Sequence, residues 1–220
     1  TSKHMKTSTK GLYALMEKEG VVLSTYYDSV GVLTLGIGHT ASAGKPRPQI
    51  GQKISLKQAG KIFQRDIKKY EARVNEWVTV PMKQREFDAL VSFDYNTGGI
   101  RYRTTDGYWR TARLVEAINE GDKSKAAALF MNWVTPPEIR GRRLQEQQMF
   151  SLGWYGNTKT VKVWDKFPGR SRRMSSAGIL GSKLVASNEK PEYDKRVSII
   201  VIAMFVAAAA FIIAKIAGVL

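Results

Sequence analysis

The sequence predicts an α+β chain with an appended apolar segment, and three observations carry that reading. A β-branched and aromatic stretch broken by a turn lies between residues 23 and 37, helical periodicities dominate residues 55–150, and an uncharged run begins at residue 197. With 220 residues there is room for one ordinary domain and its core plus a short appendage.

Ser8 or Thr9 caps a first helix whose Leu12, Leu15 and Met16 share one face, and Gly20 stops it. Glu19 is thereby left at the helix end. From Leu23 to Ile37 the residues favour strands on either side of the turn-forming Asp28-Ser29-Val30-Gly31, which reads as a hairpin. After a Pro/Gly loop at residues 44–48, Ser55 caps a longer helix with Ala59, Ile62, Phe63, Ile67, Tyr70, Val74 and Trp77 at helical spacing, closed by Pro81. A third helix starts near Gln84 and carries Phe87, Leu90, Val91 and Tyr95. A fourth runs from Leu114 to Trp133, ahead of Pro136 and Pro137, and a fifth from Arg140 to Phe150. Residues 161–196 mix Lys, Arg, Ser, Gly and Pro without a sustained apolar face, the composition of a basic linker.

The last segment is a different kind of object. Residues 197–214, VSIIVIAMFVAAAAFIIA, carry no charge and are followed by Lys215. A helix of that length, rising about 1.5 Å per residue, covers about 27 Å, close to the roughly 30 Å of a hydrocarbon core. The run is apolar on all sides, so a membrane-inserting helix over 197–220 is expected rather than a buried core helix.

Composition narrows the chemistry. Lys and Arg number 35 against 19 Asp and Glu, a net charge of +16, which points to an anionic partner: nucleic acid, a membrane surface or a wall polymer. There are no cysteines and two histidines, so thiolate nucleophiles and the usual zinc sites are unsupported, and no metal or cofactor is expected. Thr1 to His4, ahead of Met5, look like a junction left by an expression vector. The segment after Met5 lacks the apolar core of an export signal.

Glu19, Asp28 and Thr34 are the residues with chemistry to offer. A hairpin turns Asp28 and Thr34 toward each other and brings both beside the helix end that bears Glu19. Two carboxylates flanking a cleft suit glycoside hydrolysis, in which one donates a proton to the leaving oxygen and the other acts on water or on the sugar carbon. A hydroxyl nearby orients the water. The competing reading takes Glu19 as a solvated helix-end residue and Asp28 as an ordinary turn former.

The whole stretch favours the first reading. Glu19-Gly20, then Tyr27-Asp28-Ser-Val-Gly31-Val-Leu-Thr34-Leu-Gly36-Ile-Gly38-His39-Thr40, closely resembles the signature of phage-type lysozymes, the muramidase endolysins. Later blocks resemble that family in the right order: residues 54–74, 87–99, 114–122 and 139–150. The resemblance implies a lysozyme-like α+β fold in which a small N-terminal lobe with a sheet faces a larger helical lobe across a peptidoglycan-binding groove. It implies Glu19 as general acid, Asp28 as partner carboxylate, and Thr34 as the residue that holds water. Tyr95 and Asn96 match groove-lining positions that contact sugar. The implied reaction is hydrolysis of the β-1,4 bond between N-acetylmuramic acid and N-acetylglucosamine, with inversion, and the implied outcome is bacterial lysis.

Other features take plainer readings. His39 is expected to be structural. Arg140, Arg142 and Arg143 read as a salt-bridged helix face before a wall-contacting cluster, and Arg101 to Arg113 as a groove-edge loop, so no nucleic-acid partner is expected. The domain plan is then a lysozyme domain over 5–160, a linker over 161–196 and a membrane segment over 197–220. Lys190, Lys195 and Arg196 precede the apolar run, and positive-inside bias would leave the enzyme in the cytoplasm, away from the wall. Three routes reconcile this: release by a holin or membrane collapse, insertion in the opposite sense, or membrane disruption by the tail itself. A membrane-tethered scaffold or binding module with a muramidase fold is the alternative to an enzyme.

Overall fold

The computed structural model describes residues 4–156 and 158–181. Helix α1 spans Thr9–Glu19, with the Ser8 side chain accepting from the Gly11 amide and Gly20 ending it at φ 69°. Strands β1 (Val21–Tyr27), β2 (Leu33–Gly36) and β3 (His39–Thr40) follow as an antiparallel meander, with an irregularity in β1 between Val22 and Tyr26. The expected hairpin and its turn are therefore in place.

Ser55 and Gln58 form a reciprocal cap at the start of α2 (Leu56–Trp77). At about 1.5 Å per residue this helix is about 33 Å long. It ends three residues before Pro81, at Val78, whose backbone has already turned extended. Helix α3 (Gln84–Thr97) is the centre of the helical part, buried continuously from Arg85 to Asp94 and closed by Gly98 in the left-handed region. Around it pack α1, α2 and α6 (Arg140–Leu152).

Between α3 and α6 the chain departs from expectation twice. Residues 101–113 are not a plain loop: β4 (Arg101–Arg103) and β5 (Trp109–Thr111) pair as a small hairpin. The single helix expected over residues 114–133 is two, α4 (Arg113–Asn119) and α5 (Lys123–Leu129), followed by a 3-10 turn at Phe130–Asn132. Gly121 at φ 82° breaks the run, and the Asp122 carboxylate caps the new helix through the Lys125 amide.

The largest correction concerns residues 161–196. The expected basic linker instead begins as structure: β6 (Thr160–Trp164), β7 (Ser171–Ser175) and α7 (Ser176–Leu180). The sheet order is β3-β2-β1-β6-β7, with β6 parallel to β1 through Val21 opposite Val163 and Val22 opposite Trp164. Val161 and Val163 are fully buried while Lys162 between them is exposed, so half of the strand's alternation serves the core. Helix α7 docks on α2 where Gly60 lies against the Ile179 carbonyl, a contact that any side chain at Gly60 would block. The folded unit thus extends past residue 160 to residue 181.

One buried core joins these parts, running from Leu15, Met16 and Val21 through Phe63, Phe87, Leu90 and Phe93 to Phe130, Phe150 and Ile179. Among the described residues no helix is long and apolar enough to cross a membrane, and the segment expected to do so, residues 197–220, lies outside them.

Candidate active site

Glu19 ends α1 because Gly20 cannot continue the helix, and this puts its carboxylate where α1, the sheet and α6 meet. Arg142 of α6 places Nη1 2.6 Å from Glu19 Oε1, and its Nε lies 3.2 Å from Glu146 Oε1. The other side of Glu19 is bounded by Gly38. An added Cβ there would sit 3.3 Å from Tyr95 Oη and 3.5 Å from Glu19 Oε2, and Gly38 holds φ at 64°, a backbone conformation that favours glycine. Tyr95 donates its hydroxyl to the Ile37 carbonyl at 2.6 Å, which fixes the Ile37–Gly38 turn beside Glu19. Its ring rests near Tyr70 and Phe63, at centroid distances of 4.8 and 6.0 Å.

Asp28 begins the β1–β2 turn. Its Oδ1 accepts from the amides of Val30 at 3.0 Å and Val32 at 2.8 Å, so the turn-forming role considered for it is real. Thr34 on β2 is buried, and its hydroxyl donates to the Val32 carbonyl at 3.0 Å. Thr34 lies directly opposite Tyr26 in the β1–β2 ladder, so the two side chains project from one face of the sheet. Burial, then the charges of Glu19 and Asp28, push the Tyr26 phenol above its ordinary value. Tyr26 therefore links the three candidates: it sits within the fields of both carboxylates and beside Thr34.

An acid that delivers a proton calls for surroundings that disfavour its charge. Around Glu19 the structure shows an ion pair instead of an apolar pocket. Burial works against the Arg142 charge, but Glu19 and Glu146 outweigh it and hold the guanidinium above its ordinary value. The adjacent Lys18 is pushed the other way, from 10.5 to about 8, chiefly by burial, with Glu146 opposing and Arg142 assisting. Its Nζ is buried without a hydrogen-bond partner.

The remaining sequence candidates separate. Asn96 is exposed on the last turn of α3, and its Oδ1 accepts from Arg143 Nη2 at 2.6 Å. Arg143 is fully buried beside Glu146, with Nη1 3.1 Å from Oε2, so the arginine cluster is largely internal to the fold. His39 is structural: it is fully buried, with Nδ1 2.6 Å from Asp66 Oδ2 and Nε2 2.7 Å from the Pro46 carbonyl. No group of acidic or histidine side chains suited to a metal occurs among the described residues. Sequence reasoning missed Tyr26 and the pairing of Arg142 with Glu19. The first carried no signal beyond a strand-forming tyrosine, whereas the four-residue spacing of Arg142 and Glu146 was a usable one.

The family model described as phage lysozyme matches residues 16–148. An endolysin of Bacillus phage PZA is 33% identical over 178 residues, covering 76% of this chain, which in turn spans 65% of that endolysin's length. Among solved structures, the endolysin from Escherichia coli O157:H7 phage FAHEc1 superposes with a TM-score of 0.61 at 29% identity, over 71% of this chain and 100% of that one. The muramidase domain of SpmX from Asticaccaulis excentricus gives 0.55 at 27% identity, over 67% of this chain and 98% of that one. These neighbours share the lysozyme-like α+β fold seen here, and with more than half of its length inside the family match, Glu19, Asp28 and Thr34 included, the chain belongs to the phage lysozyme family.

Proposed function

We propose that this chain is an endolysin, a glycoside hydrolase that lyses bacteria by cutting the β-1,4 bond between N-acetylmuramic acid and N-acetylglucosamine in peptidoglycan. The observation that carries the reading is the phage lysozyme family match over residues 16–148, which takes in Glu19, Asp28 and Thr34. Glu19 acts as general acid toward the leaving oxygen. Asp28 stabilises positive charge at the sugar carbon or takes the proton of the attacking water, which Thr34 orients. The reaction inverts the anomeric centre, which requires room for that water between the carboxylates. Asn96 contacts the sugar through its exposed amide, and Tyr95 shapes the groove floor from beneath Gly38.

The test is digestion of purified peptidoglycan by the full chain and by its Glu19→Gln variant. Muropeptides with new muramic-acid reducing ends are expected from the first, and a rate lower by about 10²–10⁴ from the second, the usual worth of a positioned acid. Equal release by both would remove Glu19 from the mechanism, and intact sacculi with both would leave a binding or scaffold module. The anomer first formed, read by NMR, separates inversion from retention.

The enzyme works on the periplasmic wall while residues 197–220 hold it at the inner membrane, a reading supported by the uncharged run at residues 197–214. The basic residues before that run favour a cytoplasmic store opened to the wall by a holin or by membrane collapse. Alkaline extraction of membranes should leave the full chain in the pellet and release a chain ending at residue 196. Release of both would eliminate the span.

A further inference from the structure

The segment after the family match contributes an exposed aromatic ring as well as two strands of the sheet. Phe167, in the turn between β6 and β7, is 40% exposed despite its size. Its ring meets Tyr26 edge-on at 5.1 Å between centroids and Trp164 at 5.8 Å. Trp164 in turn lies over Gly20, where an added Cβ would come within 2.6 Å of its ring, so the same turn braces the residue that follows Glu19. Tyr26 faces Thr34 across the β1–β2 ladder and stands two residues before Asp28. The exposed Phe167 ring therefore touches the residue that lies opposite Thr34.

We propose that Phe167 and Tyr26 form an aromatic wall on which a sugar ring of the glycan strand stacks, a subsite to which Phe167 contributes from outside the 16–148 family match. The inference rests on the muramidase reading above. A pyranose ring presents C–H bonds to an aromatic face and buries apolar area there, the part of a sugar that hydrogen-bonding groups leave uncovered. The flanking charge suits the same polymer. Asp165 is paired with Arg172 across the hairpin, while Lys166 and Arg170 stand exposed on either side of Phe167 and offer cations to the carboxylates of the wall peptide or of muramic acid.

The experiment uses the full chain with Phe167→Leu, which keeps apolar bulk but removes the ring, and Phe167→Tyr, which keeps the ring. On soluble glycan fragments, Phe167→Leu should raise KM by about 3- to 10-fold with kcat nearly unchanged, the range an aromatic contact supplies, and Phe167→Tyr should match the parent. An unchanged KM in Phe167→Leu, or a loss confined to kcat, overturns the subsite. In the Glu19→Gln background, binding to insoluble peptidoglycan should weaken by a similar factor when Phe167→Leu is added. This arm stands apart from turnover: hydrolysis absent from the parent chain defeats the muramidase reading, whereas binding indifferent to Phe167 defeats the subsite alone. If Phe167→Leu lowers the melting temperature, the exposed pair Lys166→Gln and Arg170→Gln is measured in its place, with a weaker and less salt-dependent binding expected and unchanged binding counting against the wall.

Discussion

Arg142 of α6 bridges two carboxylates: the guanidinium meets Glu19 Oε1 at 2.6 Å while its Nε reaches Glu146 within the same helix. The arginine side chain is 13% exposed and Glu146 is fully buried, so little water competes for either contact. The pair ties the last residue of α1 to α6, two elements that share no covalent neighbourhood.

Arg142→Met should remove that tie. Breaking a largely buried ion pair by deleting one partner costs about 3–5 kcal/mol, and Glu146 keeps Arg143 and Ser92 as partners, which places the expected loss near the lower end. Urea unfolding should show it, and kcat/KM on peptidoglycan should fall at least about tenfold, since Glu19, the acid proposed above, loses its positioning contact. Arg142→Lys, with a charge but no fork, should fall between.

Lys18 predicts a pH dependence. Folding lowers its ammonium from 10.5 to about 8, so between those values the unfolded chain holds a proton that the folded chain has released, and stability rises with pH across that window. Below about pH 8 the cost of burying the charge is complete. Lys18→Met should therefore stabilise the protein at pH 7 by about 2 kcal/mol, with the gain fading toward pH 10.5. Melting curves at pH 7 and pH 10 measure it, and an equal gain at both would show that packing, not charge, is responsible.

Asp66 and His39 make the internal counterpart. The two ring nitrogens of His39 lie within hydrogen-bond reach of the Asp66 carboxylate and the Pro46 carbonyl. Asp66→Ala leaves a buried imidazole without its main partner and should cost about 3 kcal/mol, with activity per folded molecule nearly unchanged. A loss of turnover without a loss of stability would contradict the structural role.

A chain ending at residue 159 should also be impaired. It loses the strand that covers β1 at Val21 and Val22, the Trp164 ring over Gly20, and the Ile179 contact with α2. A lower melting temperature and weaker hydrolysis than the full chain are expected, and equal performance would make the β6–β7 segment dispensable.

Much of this architecture was legible because strong local signals stand alone. Ser8, Gly20 and Ser55 mark helix ends that any packing arrangement would respect. The β6–β7 pair was hidden because its apolar code is Val161, Val163 and little else, and the exposed positions between and after them are basic, so composition outweighed alternation. The break at Gly121-Asp122 was readable as a stop followed by a cap, but the apolar spacing on either side continues as if uninterrupted. Within the site, Glu19, Asp28 and Thr34 are close enough in sequence for a hairpin to gather them. Arg142, Tyr95 and Phe167 reach that neighbourhood through the tertiary fold, which local spacing does not encode.

The parallel pairing of β6 with β1 has a temporal side. Val21 and Val22 leave the ribosome early, whereas Val163 and Trp164 emerge only after nearly the whole enzyme domain has been made. At about 5–20 residues per second, the acid-bearing helix end waits on the order of ten seconds for the strand that braces it. A nascent chain carries Glu19, Asp28 and Thr34 long before it carries that support. Under the muramidase reading proposed above, the order of synthesis delays competence until the β6–β7 segment has been made.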